Sequence, residues 1–188
     1  PKGVLLTDRM MRVAANAAAR LADLGDGDVM HCWEPFFHIG GSEVLVMAVQ
    51  RRITLAMVER FSVSQFWPQI SATRSTHLHF LGGVLALILK GRDPTEAERA
   101  SLRVAWGGGS PIDVWTHFEE RFGIPVRECY GLTEASSFVT QNLGGPRGSV
   151  GTPLPYFEVR VVDEFGMAVG DGTVGELIVR DRVGGLLT

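Results

Sequence analysis

Cysteine is scarce in this sequence: Cys32 and Cys129 are the only two in 188 residues, and they form no CxxC pair. With no secretory leader in view, that argues against a disulfide scaffold and for a reducing, cytoplasmic setting. Long apolar runs are lacking as well; none approaches the ~20 residues that span a bilayer, so no integral membrane segment is expected. Charge of one sign is not concentrated anywhere. The 18 basic and 21 acidic residues are interspersed and sum to -3, which leaves no stripe for nucleic acid and no polybasic patch for a membrane surface. Neither a Walker loop nor a G-x-S-x-G elbow occurs. The one G-x-G-x-x-G match, Gly170 to Gly175, runs into strand-like residues rather than a helix and reads as a hairpin turn. The chain starts at Pro1-Lys2-Gly3-Val4 and stops at Gly184-Gly185-Leu186-Leu187-Thr188; both ends read as cuts through a longer protein.

What remains is an ordinary globular composition, 45% hydrophobic and 21% charged, in a length able to bury a sizeable core. From Asp8 to Leu24 apolar residues recur at three and four, which predicts an amphipathic helix closed by Gly25. Asp28 to Trp33, Ile53 to Val58, Thr76 to Leu81 and Leu102 to Trp106 read as strands, the first followed by a turn at Pro35 and Gly40-Gly41. Between them an apolar helix is expected from Ser42 to Gln50. Another follows a capping box at Ser62 and Gln65, and a third leads up to Lys90. After Trp106 the triple glycine Gly107-Gly108-Gly109 precedes Ser110 as N-cap and Pro111 as first residue of a helix packing through Ile112, Trp115, Phe118 and Phe122. Strands alternating with helices imply an α/β fold with a largely parallel sheet flanked by helices, and ligands at the carboxyl ends of the strands. Beyond Gly144 the alternation of Phe157, Val159 and Val161, a turn at Asp163 to Gly166 and a strand from Glu176 to Arg180 predict a small antiparallel β unit. The expected division is an α/β part over 1–143 and a truncated β-rich part over 144–188.

Two segments carry chemistry. Glycines at 107 to 109 let the main chain come close to a flat base or an anion, and the helix after them aims amide dipoles the same way. The run Tyr130-Gly131-Leu132-Thr133-Glu134 adds a flat aromatic, a hydroxyl and a carboxylate near a neighbouring strand end. Such a set suits a purine face, a phosphate and a hard cation. His77 and His79 share a strand face, but no third zinc ligand is suggested nearby.

These segments, framed by Pro35-Phe36-Phe37-His38-Ile39-Gly40-Gly41 upstream and by Gly151-Thr152-Pro153-Leu154-Pro155 and Val174-Gly175-Glu176-Leu177 downstream, closely resemble the adenylate-forming superfamily: acyl-CoA synthetases, luciferases and peptide-synthetase adenylation domains. The look is nearest the crotonobetaine/carnitine-CoA ligase or fatty acyl-CoA ligase branch. The resemblance implies that Gly107, Gly108, Gly109, Ser110 and Pro111 form the adenine-binding turn, with Glu128, Cys129, Tyr130 and Gly131 completing the nucleotide site. Tyr130 would pack on the adenine, Thr133 would donate to the α-phosphate, and Glu134 would hold Mg²⁺. Lys2 resembles the tail of the family's phosphate loop and would reach the β- and γ-phosphates. His38 would gate the passage between acid and ATP, in an acyl pocket shared with Gly40, Trp106 and Gly107. The apolar helix from Ser42 to Gln50 would line that pocket and suggests a greasy or medium-sized acid.

The implied function is that of a fragment of an ATP-dependent acyl-CoA synthetase, with ATP, a carboxylic acid and CoA as partners, AMP as product and no role for nucleic acid. Most of the phosphate loop, the Thr-Gly-Asp stretch and the hinged C-terminal domain with its lysine are absent from the sequence, so the fragment alone is expected to be inactive. An adenylation domain that loads an amino acid or aryl acid onto a carrier protein, and a non-catalytic nucleotide-binding module, are the alternatives.

Overall fold

The computed structural model describes residues 3–188; Lys2 lies outside them. Five parallel strands form the centre: β1 (Val29–Cys32), β2 (Thr54–Met57), β3 (His77–Leu81), β4 (Val104–Gly108) and β5 (Val126–Tyr130). Two short antiparallel strands, β6 (Thr140–Asn142) and β7 (Thr152–Pro153), extend the sheet, whose order is β2-β1-β3-β4-β5-β6-β7. The order reverses between β1 and β3, and in open α/β sheets the crevice beyond the carboxyl ends at such a reversal is where ligands sit. A separate hairpin pairs β8 (Phe157–Val162) with β9 (Glu176–Asp181). The largely parallel, helix-flanked sheet and the small antiparallel unit are those the sequence predicts.

Among the described residues six α-helices flank the sheet: α1 (Asp8–Ala22), α2 (Ile39–Gln50), α3 (Val63–Thr73), α4 (Val84–Leu89), α5 (Glu96–Arg99) and α6 (Ile112–Phe122). Period-two alternation in the strands sorts the core into two layers. Met30, Val104 and Trp106 face α1 and α2, and this layer also receives Phe157 and Leu186 from the hairpin region. Leu78, Phe80, Ala105 and Val126 face α3, α4 and α6, meeting Phe66, Trp67, Phe118 and Phe122. Each large side chain so buried contributes roughly 1.5–3 kcal/mol. Among the described residues no helix is long and apolar enough to cross a membrane.

Local signals moved in four places. Helix α1 ends at Asp23, in a left-handed conformation at φ 57°, rather than at Gly25; the Asp23 amide already reaches the carbonyls of Ala19 and Arg20. The capping box expected at Ser62 does not form, because the Ser62 hydroxyl turns to Ser64 Oγ at 3.3 Å. A complete box occurs instead at Thr95 and Glu98, whose carboxylate is also held by Arg92. At α6 the cap position is taken by Pro111, not Ser110, and Ile112 is 59% exposed instead of packing with Trp115, Phe118 and Phe122.

Gly107, at φ 157°, turns the side on which a Cβ would sit toward β3. Phe80 is paired with Gly107, and a Cβ at 107 would overlap the Phe80 carbonyl oxygen. Backbone cannot yield there without breaking the ladder. We therefore expect Gly107→Ala to destabilise the fold by about 3 kcal/mol, whereas Gly170→Ala, where nothing lies within 4 Å of the new atom, stays within about 0.5 kcal/mol. Chemical denaturation of both variants checks this.

Candidate active site

The carboxyl ends of β3, β4 and β5 and the start of α2 enclose a cleft of ≈ 260 Å³. His38, Gly40 and Glu43 form one wall, His79 and Gly108 the floor, and Tyr130 and Thr133 the opposite side. A larger depression of ≈ 390 Å³ lies along the Asn142–Leu154 segment and Arg20, but no carboxylate or imidazole lines it. The smaller cleft holds the reactive groups.

At its α2 end the chain leaves β1 through Trp33 and Glu34 and turns at Pro35. His38 Nδ1 then accepts from the Gly40 amide at 3.1 Å and caps α2. Glu34 is buried and lies 2.8 Å from His79 Nδ1 and 3.5 Å from His38 Nδ1. The contact with His79 is close in distance but lacks the alignment of a hydrogen bond, since both Glu34 oxygens have no hydrogen-bond partner. Burial pushes the Glu34 carboxyl up, yet His79 first and His38 second outweigh it, and its pKa falls below the usual carboxylate range. The His79 ring is fixed from behind by the indole of Trp106, stacked at 4.0 Å and 16°. Gly40 has to be glycine: a Cβ would run into Glu34 Oε2 and lie 2.9 Å from His79 Cε1.

The glycine loop is built differently from its sequence reading. Gly107 and Gly108 belong to β4, and only Gly109 is in the loop beyond it. The amides of Gly109 and Ser110 are turned onto an anion, and that anion is internal: Gly109 N–H donates to Glu128 Oε1 at 2.5 Å, with Ser110 N–H at 3.3 Å from Oε2. Burial raises the Glu128 pKa to about 7 in spite of these amides, which pull the other way. What the loop offers a ligand is therefore the flat backbone of Gly108 and Gly109. Beside it the Cys129 thiol donates to the Gly107 carbonyl at 2.9 Å.

At the other end β5 stops at Tyr130, which is 37% exposed at the mouth of the cleft. Gly131 follows where a Cβ would overlap the Ser137 carbonyl, so the chain can fold back only through glycine. A short 3₁₀ turn over Thr133–Ala135 places Thr133 in the cleft and leaves Glu134 exposed. The turn is closed by Ser136 and Ser137, both left-handed, at φ 53° and 70°, a cost accepted in loops that hold a fixed geometry.

Of the residues expected at the site, His38, Gly40, Gly108, Gly109, Cys129, Tyr130, Gly131 and Thr133 meet in this one cleft. Trp106 and Gly107 lie beneath its surface, the indole fully buried against His79. Ser110 is buried behind the loop with Glu128, and Pro111 is exposed at the start of α6. Among the described residues no three His, Cys, Asp or Glu converge as a metal cluster. Sequence reasoning missed Glu34, Glu43 and the role of His79. The available signals were an acid four residues before His38 and a single carboxyl inside an otherwise apolar helix. That helix also turns its apolar side away: Val44 and Met47 go to the core, while Ile39, Gly40 and Glu43 reach the cleft.

A largely parallel sheet with this crevice, and a Tyr-Gly-Leu-Thr-Glu turn on its edge, put the site where α/β sheets hold their ligands. The chain belongs to the AMP-binding enzyme family, whose pattern matches residues 1–184. It is 32% identical over 187 residues to the sulfoacetate-CoA ligase of Cupriavidus necator, covering 96% of this chain and 36% of that protein. To the medium/long-chain-fatty-acid-CoA ligase FadD17 of Mycobacterium tuberculosis it is 30% identical, covering 98% of this chain and 37% of that protein. Among solved structures, O-succinylbenzoate coenzyme A synthetase from Bacillus subtilis in complex with AMP superposes with a TM-score of 0.80 at 27% identity, over 97% of this chain and 38% of that one. The chain thus spans a little over a third of the length of these relatives, two CoA ligases and a coenzyme A synthetase.

Glu128 gives the site a pH signature. Its folded pKa of about 7 lies above the unfolded value of 4.5, so the native state binds the extra proton and stability falls as pH rises through that window. Glu43 acts in the same sense, whereas Glu34, shifted down, acts only below 4.5. Between pH 5 and about 7.5 Glu128 works to lower the denaturation midpoint, while His31 and His77, whose pKa values burial lowers, work to raise it; Glu128→Gln removes the first contribution, so the midpoint of the variant is expected to lie progressively above that of wild type as pH rises through this window. A variant slope equal to wild type would show that Glu128 is ionised in the native state.

Proposed function

We propose that this chain supplies the acid-binding and adenosine-facing part of the active site of an ATP-dependent acid-CoA ligase. The observation that carries this reading is the continuity of the cleft. One cavity joins the Thr133 turn to the His38, Gly40 and Glu43 wall, which is the arrangement needed to hold a phosphate beside a carboxylic acid. The relatives' names, CoA ligases for sulfoacetate, for fatty acids and for 2-succinylbenzoate, support CoA as the acceptor. The setting we propose is cytoplasmic.

In the proposed reaction an oxygen of the substrate carboxylate attacks the α-phosphorus of ATP, and the bond to the bridging oxygen breaks as pyrophosphate leaves. The CoA sulfur then attacks the acyl carbonyl and AMP leaves. Thr133 donates to an α-phosphate oxygen and helps carry the charge that develops there. Tyr130 and the backbone of Gly108 and Gly109 flank the adenine. Ionised Glu34 fixes His79 and, with His38, holds the acid in line, so that the chain's part is chiefly positioning. Glu134, exposed and alone, fits Mg²⁺, which asks for one or two carboxylates and keeps waters and substrate phosphates as its other ligands. When bound, the ion neutralises phosphate charge.

Among the described residues no lysine or arginine lines the cleft, and we assign the cation that balances the triphosphate to Lys2, which lies outside them. In the whole protein Thr133→Ala is expected to lower kcat/KM for acid-dependent pyrophosphate exchange by about 10²-fold, within the usual range for losing one transition-state donor. Glu134→Ala is expected to lower it at least as much. The 188-residue chain alone should support no exchange of labelled pyrophosphate into ATP. Exchange by the chain, abolished in Glu134→Ala, would show that these residues suffice.

A further inference from the structure

The ≈ 390 Å³ depression at the far edge of the sheet is larger than the cleft that carries the proposed reaction, and the two share no lining residue. It lies between α1 and the nine residues 143–151 that join β6 to β7. A hairpin connection usually takes about 2–5 residues, so most of this loop is not needed to turn the chain. Nor is it slack. The buried Asn142 amide is its hub: Oδ1 accepts from the amides of Gly144 at 3.1 Å and Gly145 at 2.6 Å, and Nδ2 donates to the carbonyls of Pro146 and Ser149, each at 2.9 Å. Ser149 Oγ accepts from the Gly151 amide at 3.1 Å, and Thr140 Oγ1 donates to the Val150 carbonyl at 2.7 Å. Gly151 sits so close to β6 that a Cβ would overlap the Gln141 carbonyl. The loop keeps its concave shape by its own bonds, which is the preorganisation a binding site needs, and its glycines put no side chain into the space.

Among the described residues Arg20 is the one charged side chain on the lining, and its exposed guanidinium makes no hydrogen bond or ion pair with them. Its neighbours on α1 are tied down: Arg9 to the Gly184 carbonyl and Arg12 to Asp8. A cation in the last turn of α1 suits the helix C-terminus, but that role does not ask for one on the lip of a cavity. Tyr156 lies near enough to feel it, since burial raises the phenol to about 12 while Arg20 pulls it down. The phenol is thus a neutral O–H donor beside the guanidinium. Thr152 adds an exposed hydroxyl, and Leu143, Pro146, Pro153 and Leu154 make the rest of the wall apolar. The volume falls in the usual ligand-pocket range of ~300–1,000 Å³. We propose that this cavity is an accessory binding site for a small organic anion, its carboxylate or phosphate gripped by Arg20 and its apolar body laid on Leu143, Pro146 and Pro153. Both anions match the guanidinium fork, which can take two oxygens at once. The site stands on its own residues and does not depend on the acid-activating reading of the other cleft.

The test titrates the 188-residue chain with benzoate, phenyl phosphate, uncharged benzamide and inorganic phosphate, and follows backbone amide NMR shifts. We expect benzoate or phenyl phosphate to give saturable shifts centred on residues 143–154 and the Arg20 turn of α1, and the tighter of the two names the anion. Benzamide should bind more weakly by roughly tenfold or more, the size of one hydrogen bond to a charged group. Arg20→Ala should weaken the anion by the same factor, and Arg20→Lys, which keeps the charge but not the fork, by less. Arg20 is exposed, so both variants should keep the wild-type spectrum away from α1, which checks that they fold. Shifts that do not saturate, benzamide binding as tightly as the anions, or an affinity unchanged in Arg20→Ala overturn the proposal. So does inorganic phosphate binding as tightly as phenyl phosphate, because the apolar wall would then contribute nothing. Anion binding lost in Thr133→Ala and kept in Arg20→Ala would place the anion in the other cleft, and overturns it as well.

Discussion

The close approach of Gly107 to the Phe80 carbonyl sets the position of everything at the carboxyl edge of the sheet. Because β4 pairs with β3 through this position, the His79 and Trp106 side chains fall in register and stack. Because β4 also pairs with β5 at Gly107 and Glu128, the Glu128 carboxylate arrives under the amides of Gly109 and Ser110. A side chain at 107 would push the strands apart and misplace both groups together. The glycine thus matters to the site through the sheet, one layer below the surface a ligand would touch.

Three carboxyls are buried around this edge, and each meets the cost of desolvation differently. Glu34 has the imidazoles of His79 and His38 beside it and is held below the usual carboxylate range. Glu128 takes backbone amides, enough to hold its place but not to prevent a pKa near 7. Glu43 has neither. Burial alone therefore does not say what a carboxyl is for; the partners do. Glu34 organises, Glu128 ties a loop to a strand, and Glu43 is closed off within α2, its pKa raised by burial.

The alternation of helix and strand was legible because it rests on periodicity, which a sequence displays directly. Helix α1, the buried face of α6 and the β8–β9 hairpin all follow from such patterns. Capping was less so. Ser62 and Thr95 both begin plausible helices, and only the second pairs its hydroxyl with an acid three residues on that arginine also holds. At the site, the Tyr130 to Glu134 run could be found because its glycine and its turn are set by neighbouring residues. Trp106, Glu34 and Glu43 could not be placed, since the face each presents depends on how a strand or helix docks against elements distant in sequence.

That difference has a consequence for specificity. The Thr133 end of the cleft is shaped by backbone: Gly131, the left-handed pair Ser136 and Ser137, and a turn that admits few alternatives. The His38 end is shaped by side chains, those at the start of α2 and His79 on β3. Relatives of roughly 30% identity carry names that span sulfoacetate, fatty acids and 2-succinylbenzoate, and such a spread is what this division allows.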